Sequence, residues 1–475
     1  MAQDYDAIVI GGGPGGYTAA IRLAQLSKRV LCIEKERLGG VCLNWGCMPT
    51  KALLHVGEVM TAARELKELG VEFGEPKVNL GALNKWKSKM VDDLVNGIGT
   101  LFKVNKVESM TGTAELIDAT SVRVKKADGG TASLSAAAIV VATGSEPVAL
   151  PGFARNGTTI LNSDDAVTLA DVPKSILIMG AGVVGLEFAT IYRRLGAAVT
   201  VVEMLDRALG DTDIEMSTLL LRILKKQGIE VHLSTKASSV AAHGNKVTAT
   251  LEGALNEKRD VDKVLVAVGR RPRTAGLGLE KIGVKLERGF IKVDDQRRTT
   301  VPTIFAVGDC AGAPLLAHKA MREGVVAAEV IAGQASAYDP LAVPNCVYTD
   351  PQLATAGLSE EQAKAAGHEI SVGRFRLAAL GRARTVNLTD GMVKIVGDKK
   401  TDLVLGIHIV SPTAESMVAE AVLAIEMGAT VEDIGLTIHP HPTFSEPIME
   451  AAEALHGRAI HIANAPAAAP APVTK

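Results

Sequence analysis

Tyr5-Asp6-Ala7-Ile8-Val9-Ile10-Gly11-Gly12-Gly13-Pro14-Gly15-Gly16 is an apolar strand running into a glycine-rich turn. The helical pattern of residues 17–26 follows, and a second apolar strand, Val30-Leu31-Cys32-Ile33, ends at Glu34. A strand, a glycine turn, a helix and a strand ending in an acid make a dinucleotide-binding unit. Gly11 makes the tight turn, Gly13 lets backbone approach a pyrophosphate, and Gly16 lets the helix pack on the strand. The diphosphate then lies at the positive helix N-terminus, and Glu34 accepts hydrogen bonds from ribose hydroxyls.

The plan returns. Ser175-Ile176-Leu177-Ile178-Met179 leads into Gly180-Ala181-Gly182-Val183-Val184-Gly185 and a helical pattern to Leu195, and Ala198-Val199-Thr200-Val201-Val202 ends at Glu203. In both copies the acid lies 18 residues after the third glycine. One such glycine run is a weak signal; two in this context define two Rossmann-like domains and an α/β fold. Glu203 repels a 2′-phosphate, and the following Met204-Leu205 offers no arginine to receive one, so the second copy is expected to take NAD; only Arg207, nearby, speaks for NADP. Two dinucleotides in one redox chain suggest a flavin paired with a nicotinamide.

Directly after the first copy stands Gly39-Gly40-Val41-Cys42-Leu43-Asn44-Trp45-Gly46-Cys47-Met48-Pro49-Thr50-Lys51. In an ideal helix, residues five apart have Cα atoms roughly 8.6 Å apart, whereas a disulfide usually needs less than about 7 Å. A bridge between Cys42 and Cys47 therefore requires a distorted helix, which Gly46 and Pro49 permit. Such a bridge tends to be reducible and catalytic. Because the pair follows the first glycine loop, that copy is expected to hold the flavin. Lys51 falls on the same helical face as Cys47, where its charge favours a thiolate and a reduced flavin.

The bulk properties narrow the classes. At 475 residues the chain is too long for one core. A formal charge of −2 gives no basic footprint for nucleic acid. No apolar run approaches the ~20 residues of a membrane span, and the first residues carry no secretory pattern. The 5 cysteines include three isolated ones, Cys32, Cys310 and Cys346, which read as small buried hydrophobes in a reducing compartment. Residues 53–69 and 83–104 read as helices and the stretch to about Val141 as strands. From about Val343 the pattern becomes a separate α+β unit, and residues 463–475 read as a disordered Ala/Pro tail.

Near the end stands His439-Pro440-His441-Pro442-Thr443-Phe444-Ser445-Glu446. Dithiol oxidation releases protons, so a histidine near the cysteines would serve as a base, and Glu446 could fix its tautomer.

Together these motifs resemble the pyridine nucleotide-disulfide oxidoreductase family, from Asp4 to about Ile462. Ala142-Thr143-Gly144-Ser145, Val268-Gly269-Arg270-Arg271-Pro272 and Ala306-Val307-Gly308-Asp309 complete the match. Leu316-Ala317-His318-Lys319-Ala320, leading to Glu323-Gly324, resembles the branch that oxidises dihydrolipoyl groups. The resemblance implies an FAD-binding domain (1–149), an NAD-binding domain (150–275), a central region (276–342) and a dimer-interface domain (343–462). It implies that Gly11, Gly13, Gly16, Glu34, Lys51, Ala114, Thr143, Gly144, Ser145, Asp309 and Ala317 hold FAD, and that Gly180, Gly182, Gly185, Glu203 and Gly269 hold NAD. Lys51 would sit by the flavin and pair with Glu187. Cys42 would exchange with substrate and Cys47 face the flavin. His441, oriented by Glu446, would be the base and would serve the partner subunit of a homodimer. The His439–Pro440 bond is expected to be cis.

The implied activity is oxidation of protein-bound dihydrolipoyl groups by NAD⁺, with lipoyl-carrying domains of a 2-oxo acid dehydrogenase or glycine cleavage complex as partners, no metal, and a cytoplasmic location, which the initial Met1 favours. Trp45 is bulkier than the small aliphatic common at its position. Alternatives remain: another NADH-dependent disulfide reductase on this scaffold, or a flavoprotein serving as structural subunit or redox sensor. The tail lacks the cysteine pair of a high-molecular-weight thioredoxin reductase or a mercuric reductase, and Glu203 stands where a glutathione-type reductase needs a basic site.

Overall fold

The computed structural model describes residues 3–464. They form two compact units: one joins the chain up to Pro173 with Lys263–Asp339, the other joins Lys174–Asp262 with the chain from Pro340 onward. The tail expected to be disordered lies, from residue 465, outside the described residues.

In the first unit the strand Tyr5–Ile10 lies parallel between Val30–Glu34 and Thr131–Val141, with Ala7 opposite Val30 on one side and Ala138 on the other. Ile304–Ala306 continues the sheet beyond Thr131–Val141, and Glu108–Leu116 continues it beyond Val30–Glu34. Ala7, Ile8, Val9 and Ile10 are all buried, as a parallel strand covered on both faces requires. The two long strands then leave this sheet together and are joined antiparallel by Ser121–Lys126.

The helix Pro14–Gln25 packs against Ala317–Ile331, and small residues make that crossing possible. A Cβ built on Gly324 would stand 2.5 Å from the Gly15 carbonyl oxygen. Two longer helices of this unit start before their expected limits. One runs over Cys47–Glu65 and tightens into a 3-10 turn at Leu66–Leu69. It starts early because Pro49 falls in its first turn, where a missing N–H costs nothing. The other runs over Leu80–Asn105, its start set by Asn79, whose side chain accepts the Ala82 N–H.

In the second unit Ser175–Met179, Ala198–Val202 and Ile229–His232 run parallel, followed by the antiparallel sheet Thr235–His243, Lys246–Gly253, Glu257–Val261. After Pro340 comes the α+β part: a five-stranded antiparallel sheet, Asn345–Val347, Gln352–Gly357, Val404–Ser411, Met392–Asp398, Ile370–Arg376. Helices Ala414–Glu426 and Glu446–Leu455 cover it; at Gly373 a Cβ would stand 1.9 Å from the Ala451 carbonyl oxygen. No described helix is long and apolar enough to cross a membrane.

Candidate active site

The helix break demanded by the cysteine spacing is present. A short helix, Gly40–Asn44, stops at Trp45, Gly46 adopts a non-helical backbone, and the next helix begins at Cys47. The structure holds the pair as a dithiol, with a hydrogen bond between the two side chains. That bond, then burial, then the charge of Cys47, push the Cys42 thiol far up, and the Lys51 ammonium opposes them. The lysine expected to act on Cys47 is thus also felt at Cys42. Cys47 is the first residue of a 19-residue helix, whose positive end favours a negative sulfur.

Backbone contact welds this segment to the first glycine loop. Gly39 N–H donates to the Gly12 carbonyl at 2.7 Å, and a Cβ on Gly40, whose φ is +57°, would stand 2.7 Å from Gly13 Cα. Tyr17, Cys47 and Ala317 are partly buried against the same apolar cluster that contains Cys42. The Tyr17 phenol is pushed up by burial and by the two neighbouring thiols. Sequence reasoning passed over it, because an aromatic in a helix beside an apolar core carries no chemical signature of its own.

The other cysteines are of a different kind. Cys32 and Cys310 are fully buried, and burial raises both thiols, Cys310 to about 11. Cys346 is only half-buried, packed against the core of the second unit rather than inside it as expected.

The first glycine loop has the geometry the fold demands. Gly11 has φ +105°, and a Cβ on Gly16 would lie 1.8 Å from the Gly11 carbonyl oxygen. Glu34 is held from both sides: Oε2 accepts the Gly12 N–H at 2.7 Å and Oε1 the Glu36 N–H at 2.8 Å. Each oxygen keeps a lone pair for a hydroxyl. Across the sheet, Ser145 Oγ lies 2.6 Å from Asp309 Oδ2 and accepts from Arg270 Nε at 2.8 Å. With the oxygen already accepting from a guanidinium, the single serine proton goes to Asp309.

Thr143 and Gly144 are zipped to the returning chain, Thr143 Oγ1 donating to the Arg273 carbonyl at 2.6 Å and Arg273 N–H to the Gly144 carbonyl at 2.9 Å. Gly269, φ +120°, lies in this first unit and accepts the Val148 N–H through its carbonyl. The turn bearing Asp309 is set by Glu323, fully buried, which accepts the Gly308 N–H and pairs with Arg297 and Lys319. Ala317 is the first residue of its helix, and Ala114 lies opposite Val124 in the antiparallel ladder with its methyl in the core. Arg270 and Glu323 were named in the sequence only as parts of motifs; their partners lie 125 and 15 residues away.

The second loop repeats the first. Gly180 has φ +104°, and a Cβ on Gly185 would stand 1.9 Å from the Gly180 carbonyl oxygen, while at Gly182 nothing lies within 4 Å. Glu203 Oε2 accepts the Ala181 N–H and Oε1 the Leu205 N–H, both at 2.9 Å. Arg207 is committed elsewhere, to Glu361 at 2.9 Å and to the Thr212 carbonyl at 2.8 Å. Glu187 is buried and accepts the Tyr348 N–H at 3.1 Å. Both loops thus fit a dinucleotide: each ends in a helix N-terminus without a side-chain cap, has glycines where a Cβ would block the turn or fill the cradle, and presents an oriented carboxylate.

His441 Nδ1 lies 2.8 Å from Glu446 Oε2, and Glu446 Oε1 accepts the Thr443 N–H at 2.6 Å. The His441 side chain is 74% exposed and that of Glu446 11%. The ring is therefore held by one nitrogen and presents Nε2 outward. The cis bond of this run is His441–Pro442, not His439–Pro440. Both are X–Pro bonds with the same weak trans preference, so local sequence does not separate them.

Two dinucleotide loops, one welded to a dithiol, define a flavin- and nicotinamide-linked disulfide enzyme. The chain belongs to the pyridine nucleotide-disulphide oxidoreductase family: residues 5–324 match its main domain and residues 343–452 its dimerisation domain. A dihydrolipoyl dehydrogenase of Thermus scotoductus is 48% identical over 467 residues, covering 97% of this chain and 100% of the relative. That of Geobacillus stearothermophilus is 44% identical over 464 residues (97% and 98% covered), and the dog mitochondrial enzyme 45% over 457 (94% and 90%). Among solved structures, LpdA from Mycobacterium tuberculosis superposes with a TM-score of 0.88 at 29% identity, covering 94% of this chain and 99% of that one. The HOCl-induced flavoprotein disulfide reductase RclA from Escherichia coli gives 0.84 at 28%, covering 95% and 99%. The chain is an FAD- and NAD-dependent oxidoreductase, and its dimerisation domain supports a homodimer.

Proposed function

We propose that this chain oxidises protein-bound dihydrolipoyl groups to the lipoyl disulfide with NAD⁺. The observation that carries the reading is the dithiol Cys42–Cys47, set across a helix break and fastened to the first glycine loop, in a chain whose full-length relatives include dihydrolipoyl dehydrogenases.

Placement supports the following roles. With the cysteines bridged, Nε2 of His441 takes the proton of a dihydrolipoyl thiol, Glu446 holding the ring and stabilising the imidazolium. The substrate thiolate attacks Cys42 sulfur, the Cys42–Cys47 bond breaks, and Cys47 leaves as thiolate at its helix N-terminus, beside the Lys51 charge. The second substrate thiol, deprotonated in turn, attacks the substrate sulfur bound to Cys42; the lipoyl disulfide forms and Cys42 is released. FAD, when bound, supplies the two-electron carrier between the Cys47 sulfur and the nicotinamide. Residues 1–149 would bind it through Gly11, Gly13, Gly16, Glu34, Thr143, Gly144 and Ser145, joined by Asp309 from the central region, and residues 150–275 would bind NAD through Gly180, Gly182, Gly185 and Glu203. His441 would act on the redox cysteines of the partner subunit, the substrate would arrive on the lipoyl domain of a multienzyme complex, and the enzyme would work in the cytoplasm.

Anaerobic NADH formation from NAD⁺ and dihydrolipoamide, with NADP⁺ run in parallel, tests the reading. Rapid NAD⁺-specific turnover is expected. A yellow protein that NADH reduces but that leaves dihydrolipoamide untouched would instead be a reductase of another disulfide.

A further inference from the structure

The run His439-Pro440-His441-Pro442 carries a second histidine that thiol exchange leaves unused. Its surroundings differ from those of His441: the His439 side chain is 4% exposed. Nδ1 lies 2.8 Å from the Thr437 carbonyl oxygen, and Nε2 lies 2.8 Å from Glu420 Oε1. A carbonyl and a carboxylate oxygen only accept. A neutral imidazole has one N–H and would aim a lone pair at one of these oxygens, so both contacts are met together only by the imidazolium. His441 faces an acceptor at Nδ1 alone, which suits a neutral ring with its lone pair on Nε2. Two histidines two residues apart are built for opposite states, one keeping its proton and one ready to take it.

We propose that His439 is a positioning residue, a standing imidazolium that ties the loop bearing His441 to the helix Ala414–Glu426 through Glu420. The proposal rests on the reading of His441 as the base. The hydrogen bond to Glu420 is also the leading cause that lifts His439 above the ordinary histidine value; burial opposes it, and the Thr437 carbonyl and the charge of Glu446 add to it. The charged groups facing the ring are Glu420 and, at the start of Glu446–Leu455, Glu446; Arg382, from Gly381–Thr385, lines the same cavity as Glu420. That cavity, of about 530 Å³, lies between Glu420 and the loop residues Pro442, Thr443, Phe444 and Ser445. When His439 loses its proton at high pH, one N–H becomes a lone pair against an acceptor, the clamp opens and His441 loses its aim.

The test uses the full-length, FAD-loaded dimer, as wild type and as His439→Gln, Glu420→Gln and His441→Gln. Nitrogen-15 NMR of the histidine rings reads protonation directly in the wild type. Turnover of dihydrolipoamide against pH reads the base, and NADH-driven ferricyanide reduction reads a half-reaction that needs no thiol proton. Both nitrogens of His439 are expected to carry protons at neutral pH, above the value (~6.5) at which an ordinary histidine loses one. His439→Gln is expected to lower kcat for dihydrolipoamide about 10- to 100-fold, the cost of a misplaced group, with KM for NAD⁺ and ferricyanide reduction unchanged. Glu420→Gln is expected to move the alkaline fall of kcat to lower pH. A neutral His439 ring near neutral pH, or a His439→Gln variant with wild-type kcat at every pH, overturns the proposal. Full turnover in His441→Gln would overturn the base assignment instead, with the ring state of His439 still deciding the clamp.

Discussion

Lys394 Nζ stands 2.9 Å from both carboxylate oxygens of Asp213, and the two side chains are 1% and 2% exposed. Asp213 caps the helix Ile214–Lys226 that follows the second dinucleotide loop, and Lys394 lies in the strand Met392–Asp398 of the α+β sheet. Glu215 at 3.0 Å and Glu360 at 2.6 Å complete the ring around the ammonium, and Arg374 bridges those two acids. A buried ion cluster of this kind ties the nucleotide-binding half of the second unit to its α+β half.

Removing the cation should leave buried carboxylates uncompensated. Lys394→Met is expected to cost about 3–5 kcal/mol at neutral pH, the range for breaking a buried pair from one side. Burial alone would raise Asp213 and Glu360, but the ammonium and hydrogen bonds outweigh it and hold both below their ordinary values of 3.8 and 4.5. Groups depressed in the folded state stabilise it above the unfolded value, and that stability drains away as pH falls through the folded one. The gap between wild type and Lys394→Met, read by urea unfolding, should therefore be full near neutrality and shrink below about pH 4.5. A gap constant with pH would mean that packing, not charge, holds this joint.

Glu203 is expected to decide the nicotinamide. Its carboxylate is pinned by the Ala181 and Leu205 N–H groups, and truncation to serine removes a charged acceptor worth about 1.5–3 kcal/mol. KM for NAD⁺ should rise by about 10- to 100-fold on that figure. NADP⁺ should gain little, because Arg207 remains paired with Glu361 and the Thr212 carbonyl. Steady-state kinetics with both cofactors checks this; a large NADP⁺ gain in Glu203→Ser alone would show that Arg207 swings free.

The parts legible in the sequence are those where backbone geometry dictates residue type. Gly16 and Gly185 are glycine because a Cβ would collide with the carbonyl oxygens of Gly11 and Gly180, and Gly46 falls where a five-residue cysteine spacing must break a helix. Glu34 and Glu203 were found by counting, since strand and helix lengths fix where the second strand ends. What stayed hidden depends on residues far apart in sequence. Lys394 and Asp213 are 181 positions apart, and Arg270 reaches Ser145 across 125. Neither pair has a period or spacing to betray it. The cis bond falls at Pro442 and not at the expected Pro440, two prolines with the same local chemistry.

Ser145 should matter for cofactor retention. It is 2% exposed and relays between Arg270 and Asp309. Ser145→Ala leaves a half-buried guanidinium N–H without its acceptor, a cost of about 1 kcal/mol, and frees Asp309 from its donor. A lower thermal midpoint and faster FAD release, followed by flavin fluorescence, are expected. Unchanged retention would show that Asp309 is held well enough by its own turn, where Glu323 already accepts the Gly308 N–H.

Cys47→Ser separates the two sulfurs. The variant cannot form the internal disulfide, so dihydrolipoamide turnover should vanish, while the glycine loop, Glu34 and Asp309 are untouched and FAD should stay bound. The remaining thiol should change as well. The hydrogen bond to Cys47 is the leading cause of the elevated Cys42 thiol, and the Lys51 ammonium acts in the opposite direction. With Cys47 gone, Cys42 should titrate at lower pH than in the reduced wild type, and adding Lys51→Met should move it back up. Alkylation by iodoacetamide against pH, with mass spectrometry to identify the modified cysteine, measures both shifts. Retained lipoyl turnover in Cys47→Ser would show that electrons leave the substrate by a route that does not pass through this dithiol.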